Sequence, residues 1–421
     1  MRFEEDATMS ASTVSAMDYD PFSPAVMSDP LPYYKVLRRD HPVFYSEKYD
    51  GFFFSRFDDI IEMLSHTDNS LLQSEGSLPK PAALRVHNTA APAMPGTDPF
   101  PISQRLGMPV HGEVRRAHVK PMMPRHVVQL TKFVRDLASA RLEELLGQQK
   151  FDLTKDYGGR ISAGVIMHLM GMPLELADEA LAIVNSGTRT DPELGGFDSS
   201  AVAMQAIQWY LPYVQARLDA GADGSVPMVD GLINWRFEGR ALSPIEVAQN
   251  LVCAFIGGTE TVPKIAAHGL MELAARPEQL RAVRESLEAN VPKVVEEMIR
   301  FCAPAQWFMR TAHKDITIAG QAIRPGQRVF FMTASALRDE REFRNPDEFQ
   351  WDREIPRVLS FGHGMHFCIG VHVARMELQV LVETFLRRVP DFNIEMFRMD
   401  QAVRHPSSFQ WGWNSLPVKI T

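Results

Sequence analysis

Cysteine is scarce in this sequence: Cys253, Cys302 and Cys368 are the only three in 421 residues. An odd and widely spaced set cannot build a disulfide framework and points to a reducing compartment. Long apolar runs are missing as well. No window approaches the roughly 18 uninterrupted apolar residues of a membrane helix, and Glu4, Glu5 and Asp6 stand where a signal peptide would need positive charge. These absences predict a cytoplasmic protein that makes no membrane contact. Positive charge is not in excess either, since 44 basic residues face 52 acidic ones for a net charge of -8. A global basic field for nucleic acid is thereby excluded. Internal repeats, low-complexity tracts and Gly/Ser linkers are also lacking.

The remainder has an ordinary globular composition, 45% hydrophobic and 23% charged. A chain of this length buries most of its surface on folding and needs no disulfide or structural metal to do so. Length alone suggests about three domains at roughly 150 residues each. Apolar residues recur at helical spacing, as in Leu130, Val134, Leu137, Ala138, Leu142 and Leu145, which predicts a mainly α class. Extended segments are few: residues 51–55, and residues 315–333, where Ile316, Ile318, Val329 and Phe331 alternate around Pro325-Gly326. They read as small β hairpins beside a helical body. Residues 1–20 read as a disordered tail. Residues 74–109 form about 35 aperiodic, Pro- and Gly-rich positions, and a loop that long is usually the lid or wall of a binding site.

The best-marked helix begins at Ser243. Ser243, Pro244 and Glu246 provide an N-cap, a first-turn proline and the glutamate of a capping box, and helical spacing continues to about Arg276. Its middle reads Gly257-Gly258-Thr259-Glu260-Thr261-Val262-Pro263. Two glycines weaken a helix there, and Pro263 cannot donate to the carbonyl of Thr259. A carboxylate and a hydroxyl thus lie side by side where a mostly buried helix is expected to open.

The strongest chemical signal is Ser360-Phe361-Gly362-His363-Gly364-Met365-His366-Phe367-Cys368-Ile369-Gly370, a glycine-rich turn that presents one cysteine just ahead of an amphipathic helix. Exposed N–H groups and the positive end of the helix dipole would favour thiolate there. Three readings compete. A zinc site could be drawn from His363, His366, Cys368 and His372, but the spacing matches no common tetrahedral pattern. A nucleophilic Cys368 with His366 as base is unusual geometry for two residues in one tight turn. A single axial thiolate to haem iron fits best, because it needs one soft anion, N–H donors to temper it, and small residues over a flat macrocycle.

At this point the sequence resembles the soluble bacterial cytochrome P-450 monooxygenases. Phe361-Gly362-x-Gly364-x-His366-x-Cys368-x-Gly370 matches the haem-ligand loop of that family, and Gly257-Gly258-Thr259-Glu260-Thr261 its oxygen-activation motif. Glu297-Met298-Ile299-Arg300, His111-Gly112-Glu113-Val114-Arg115 and Arg310-Thr311-Ala312 follow the family's remaining landmarks, with Arg353 as the arginine that joins Glu297 and Arg300.

The resemblance implies a mainly α fold with small β-sheets and a single domain over residues 1–421, with residues 74–109 as a substrate-access loop. The cofactor it implies is haem b, iron protoporphyrin IX, with O2 as co-substrate. Cys368 becomes the axial ligand of the iron. His111, Arg115, Gly258, Arg310, Phe361, His366 and Gly370 become cofactor-binding positions. Thr261 and Glu260 become the proton-handling pair, and Glu297, Arg300 and Arg353 a structural network. Val252, Phe255, Gly257, Gln306, Trp307, Phe308, Phe409 and Trp411 would line a pocket for a small or medium hydrophobic substrate, with Arg85, His87 and Arg105 as candidates for binding a carboxylate. The chain has no flavin or iron–sulfur motif, so electrons would come from NAD(P)H through a reductase and a separate [2Fe-2S] ferredoxin. That partner would dock on a basic face of Arg116, Lys120, Arg375, Arg387 and Arg388, and the protein would act as a monomer. A peroxide-driven oxygenase and a non-catalytic haem sensor are the alternatives on the same fold.

Overall fold

The computed structural model describes residues 14–78, 84, 102–186, 199–404 and 407–420. Most of the predicted tail, and Arg85 and His87 of the long loop, lie outside them. Among the described residues, helices of at least eight residues run in chain order as α1 Leu31–Asp40, α2 Phe57–Ser65, α3 Val110–His118, α4 Pro124–Gln148, α5 Arg160–Met170 and α6 Ala177–Ser186. They continue as α7 Ser199–Asp219, α8 Pro227–Asn234, α9 Pro244–Ala274, α10 Pro277–Glu285, α11 Leu287–Phe301 and α12 Val371–Arg388. The mainly α class with small sheets is the observed one.

The predicted apolar stripe of α4 is buried, with Val134, Ala138, Leu142 and Leu145 all inaccessible. Helix α9 begins as its sequence indicates. The Glu246 carboxylate accepts from the Ser243 N–H at 2.7 Å, closing the capping box. Helix α9 is the axis of the larger core and packs against α5, α7, α11 and α12 and against the wide helical turn Leu153–Gly159. The expected opening in its middle is not a break: the helix is continuous through Pro263. Two local devices accommodate the proline. The Thr259 hydroxyl donates to the Phe255 carbonyl one turn back at 2.8 Å. Gly158 lies against Pro263 so closely that a Cβ there would stand 2.9 Å from the proline Cα.

A five-stranded sheet stands beside the helices in the order Val43–Ser46, Gly51–Phe54, Arg328–Phe331, Phe308–Ala312, Leu71–Leu72. Gly51–Phe54 and Arg328–Phe331 run parallel, and the other neighbours antiparallel. Residues 315–333 do not fold as one hairpin about Pro325-Gly326. Ile316–Ile318 pairs with Gln321–Ile323, and the chain reverses at Ala319 and Gly320, whose φ of +49° and +76° suit a tight hairpin turn. Pro325-Gly326 instead carries the chain into the larger sheet. The start of the long loop is anchored to that sheet, since Glu75 pairs with Arg328 at 2.8 Å and accepts from the Thr311 hydroxyl at 2.7 Å.

A buried ionic network joins α11 to the segment before the cysteine loop. Glu297 is fully buried and takes both Arg300, at 2.7 and 2.8 Å, and Arg353, at 3.2 Å, as well as the Gln350 N–H at 2.8 Å. The spare donors of Arg300 reach the carbonyls of Leu337 and Pro346. Such a network holds only because every charge in it is met; removing one member would leave the rest unpaired in an apolar interior.

Glu377 of α12 is buried against α5, where its carboxyl meets the Ser162 hydroxyl and, among the described residues, no cation. Burial raises it from the ordinary 4.5 to about 8, and the hydroxyl offsets this only in part. The folded chain therefore keeps a proton that the unfolded chain releases near pH 4.5, so this group's contribution is full below that pH and is lost as pH rises through about 8. Glu377→Gln, neutral at every pH, is expected to flatten the decline in melting temperature across this window. An equal decline in both proteins, followed by calorimetry, would contradict the assignment.

Candidate active site

Three elements converge on the cysteine loop, which the backbone closes on itself. The Cys368 N–H donates to the Phe361 carbonyl at 2.8 Å, and Phe367 N–H to Gly364 O at 3.1 Å. Gly362 and Gly364 have φ of +68° and +67°, and a Cβ on Gly364 would sit 2.0 Å from the Leu64 carbonyl oxygen. Glycine is required at that position by both conformation and space. From α11, the Ile299 carbonyl accepts from the Ser360 hydroxyl at 2.6 Å, while Arg375 lies 4.8 Å over the Phe361 ring and pairs with Glu296 at 2.6 Å.

From α3, Arg115 donates to the Phe367 carbonyl at 2.6 Å. His111 is buried, with Nδ1 3.0 Å from Ser103 O and Nε2 3.2 Å from Met365 O. A neutral imidazole can donate to only one of these carbonyls, and burial holds His111 below its ordinary pKa. The His366 ring lies 4.5 Å from that of His111, and its Nε2 is buried with no partner. Arg310 is 5% exposed. It donates to its neighbour Met309 O at 2.8 Å and lies over the Phe331 ring. Gln73 can accept from it at 3.3 and 3.2 Å through its carboxamide oxygen.

Among the described residues no carboxylate pairs with His111, Arg115, Arg310 or His366. Burial pulls Arg310 down to about 9 and His366 well below its usual range, and the neighbouring cations push His366 further in the same direction. Four basic groups from three elements, two buried and two half-buried, therefore share one place with no counter-anion among the described residues. An acidic cofactor with two carboxylates, as haem has, fits that electrostatic demand.

Cys368 differs from the sequence expectation in one respect. Burial raises its thiol above the ordinary value, and the Gly370 N–H, Arg115 and Arg375 offset this only in part. The loop on its own does not favour thiolate; a bound metal cation would supply the missing stabilisation.

Helix α9 bears the complementary feature. It is buried almost throughout, yet Cys253 and Gly257 are exposed and Thr261 half-buried, one stripe at four-residue spacing. Cys253 is accessible to water while surrounding protein raises its thiol to about 11. That combination marks the wall of an internal hollow. Several expected positions fall elsewhere. Gly258 is not on the open side: a Cβ there would meet Ile166 of α5 at 2.2 Å, so this glycine serves helix packing, while Gly257 faces open space. Val252 and Phe255 are core residues, and Phe255 packs on Trp209 and Tyr210 at 5.8 and 5.4 Å. Trp307 is 1% exposed and packs between Phe22 and Phe330. Gln306 is spent on structure, accepting from the Tyr34 hydroxyl at 2.7 Å and donating to Ser407 O at 2.6 Å. Phe308 and Phe409 remain partly accessible and touch edge to face at 5.3 Å. Trp411 is partly accessible too, with Arg404 4.8 Å over its ring.

One partner of the proton-handling pair was missed in the sequence. Glu260 is buried, and its carboxylate takes the Lys264 ammonium at 2.8 Å; Lys264 also donates to Gln410. A lysine four residues after a glutamate on one helix is the spacing that would have revealed it. The basic face is smaller than expected. Arg375, Arg387 and Arg388 pair with Glu296, Glu383 and Glu143, which leaves Arg116 and Lys120 exposed without an ion pair among the described residues.

The chain matches known proteins over nearly its whole length. The family model Cytochrome P-450 matches residues 201–420, slightly more than half of the chain. The biotin biosynthesis cytochrome P-450 of Bacillus subtilis is 26% identical over 377 residues, covering 88% of this chain and 92% of that protein. Cytochrome P-450 130 of Mycobacterium tuberculosis is 27% identical over 413 residues, 93% and 95% of the two chains. Among solved structures, a P-450 in complex with a hexadec-9Z-enoic acid-ligated acyl carrier protein superposes with a TM-score of 0.77 at 25% identity, over 94% of this chain and 100% of that one. Cytochrome P-450 CREJ in complex with (4-ethylphenyl) dihydrogen phosphate gives 0.79 at 25% identity, over 97% and 100%. A half-buried thiol in a glycine-closed loop, a cation cluster awaiting carboxylates and a hollow beside the central helix agree with these matches: the chain belongs to the cytochrome P-450 family, haem b enzymes that act as monooxygenases.

Proposed function

We propose that the whole chain forms one domain that holds haem b and inserts one oxygen atom of O2 into a small or medium hydrophobic substrate, by hydroxylation or O-dealkylation. The uncompensated cation cluster around Cys368 carries this reading. Haem, when bound, supplies the activation of O2. The chain's own groups do the rest. Cys368 would hold the haem iron through its sulfur, tempered by the Gly370 N–H and Arg115. Arg310, His366, Arg115 and His111 would meet the two haem carboxylates, His111 with the ring nitrogen that is not donating to a carbonyl. Thr261, on the open stripe of α9, holds a proton at its hydroxyl toward the reacting oxygen, and Glu260 beside it resupplies that proton. Glu297, Arg300 and Arg353 keep the cysteine loop in place from behind.

Substrate lies against Cys253, Gly257, Phe308 and Phe409. An apolar pocket with few polar handles suits a hydrophobic molecule, and two solved relatives were captured with a hexadec-9Z-enoic acid-ligated acyl carrier protein and with (4-ethylphenyl) dihydrogen phosphate. No helix among the described residues is long and apolar enough to cross a membrane, and we place the protein in the cytoplasm as a monomer. Electrons come from NAD(P)H through a reductase and a [2Fe-2S] ferredoxin that docks near Arg116 and Lys120, where positive charge remains free to meet an acidic surface.

Two outcomes test this reading. The reduced wild-type protein should give the carbon monoxide spectrum of a thiolate-ligated haem, and Cys368→Ala should abolish it; survival of that spectrum in the variant would refute the ligand assignment. Thr261→Ala should keep the spectrum but lower product formed per NAD(P)H by roughly 10²-fold, the scale of a positioned proton donor, with the electrons recovered as hydrogen peroxide. Unchanged coupling would remove Thr261 from proton delivery.

A further inference from the structure

Helix α9 carries a second stripe that the family motifs do not account for. Glu260, Lys264, His268 and Glu272 follow at four-residue spacing along one face, from beside Thr261 to the last turn of the helix, and Arg276 follows just past its end. All but Arg276 are largely buried, and they are paired in sequence: Glu260 with Lys264 at 2.8 Å, His268 with Glu272 at 3.2 Å, and Arg276 with Glu272. Lys264 is 4% exposed and is tied from outside the helix by the Gln410 side chain. A buried ammonium and carboxylate in hydrogen-bond contact can exchange a proton, because the neutral amine and acid that result shed the cost of two buried charges.

We propose that Lys264 is the proton source of Glu260 and that Gln410 holds it in register. The proposal rests on Glu260 acting as a proton relay, as inferred above. In the transfer one N–H bond of the Lys264 ammonium breaks and an O–H bond forms on Glu260, with no electrons exchanged. Water restores the ammonium by giving up a proton to the Lys264 amine. Lys264 touches no reacting atom; it is a positioning residue that acts through Glu260.

The test uses the holoenzyme reduced by dithionite and mixed with O2, so that neither substrate nor redox partner is needed. The return of the oxidised absorbance is timed in H2O and D2O. Lys264→Met is expected to slow it by about tenfold and to raise the solvent isotope effect, within the range of a lost proton donor; Lys264→Arg should recover most of the rate. Gln410→Leu, which keeps the charge pair and removes only the tether, should give a smaller slowing and serves if Lys264→Met does not fold. Infrared spectra of the resting protein give a reading independent of turnover. Lys264→Met should show a neutral carboxylic C=O band that disappears in Lys264→Met/Glu260→Gln, since an unpaired buried carboxylate takes up a proton. Lys264→Met and Gln410→Leu that reoxidise like wild type, with Glu260→Gln slowed, would overturn the proposal alone. An unaffected Glu260→Gln would overturn the relay on which it rests.

Discussion

Four basic side chains gathered in one largely desolvated place, with no carboxylate paired to them among the described residues, are a cost that these residues do not recover by themselves. Arg310, His366, His111 and Arg115 come from a strand, a loop and a helix far apart in sequence, and each loses solvation where they meet. The same neighbourhood holds the Cys368 thiol, which burial keeps protonated. Bound haem would answer both demands together: the four cations would hold its two carboxylates, and its iron would favour the thiolate form of Cys368. The surrounding architecture, the Glu297 network, the Ser360 contact to α11 and the α3 contacts to the loop carbonyls, holds these groups in place for that ligand.

The central helix separates its tasks by face. One stripe, Cys253, Gly257 and Thr261, opens onto the hollow. Gly258 gives close packing to α5, and Phe255 enters the aromatic core with Trp209 and Tyr210. The stripe of Glu260 and Lys264 is buried and charged. A helix surrounded on all sides can serve oxygen chemistry, packing and proton supply at once because 3.6 residues per turn send neighbours in sequence to different surroundings. Glu260 and Thr261 are adjacent in the chain yet meet different partners.

The cysteine loop was legible in the sequence because its demands are local. Positive φ at Gly362 and Gly364 leaves one residue type that fits, and the tertiary contact of Gly364 with Leu64, which no local pattern shows, adds a second reason. The start of α9 was legible for the same reason, since a capping box is written within four residues. The pocket was legible only in part. Gly257, Phe308 and Phe409 are open as expected, whereas Val252 and Phe255 turn into the core, because apolar spacing does not reveal which side of a largely buried helix is left open. Gln306 and Trp307 depend on contacts with Tyr34, Ser407 and Phe22 that no local pattern announces. The hairpin turn was misplaced because Pro325-Gly326 has the look of a turn, whereas tertiary pairing sets the reversal at Ala319-Gly320.

The match between desolvated cations and the carboxylates of the cofactor is the interaction on which the site depends. Titrating the apoprotein with haem and with haem dimethyl ester, whose carboxylates are blocked, and following absorbance, isolates that match. The free acid should bind far more tightly, by at least about 10²-fold, the scale of leaving charged groups unpaired in a protein interior, and Arg310→Met should narrow the gap. Equal affinity for the acid and the ester would contradict the account.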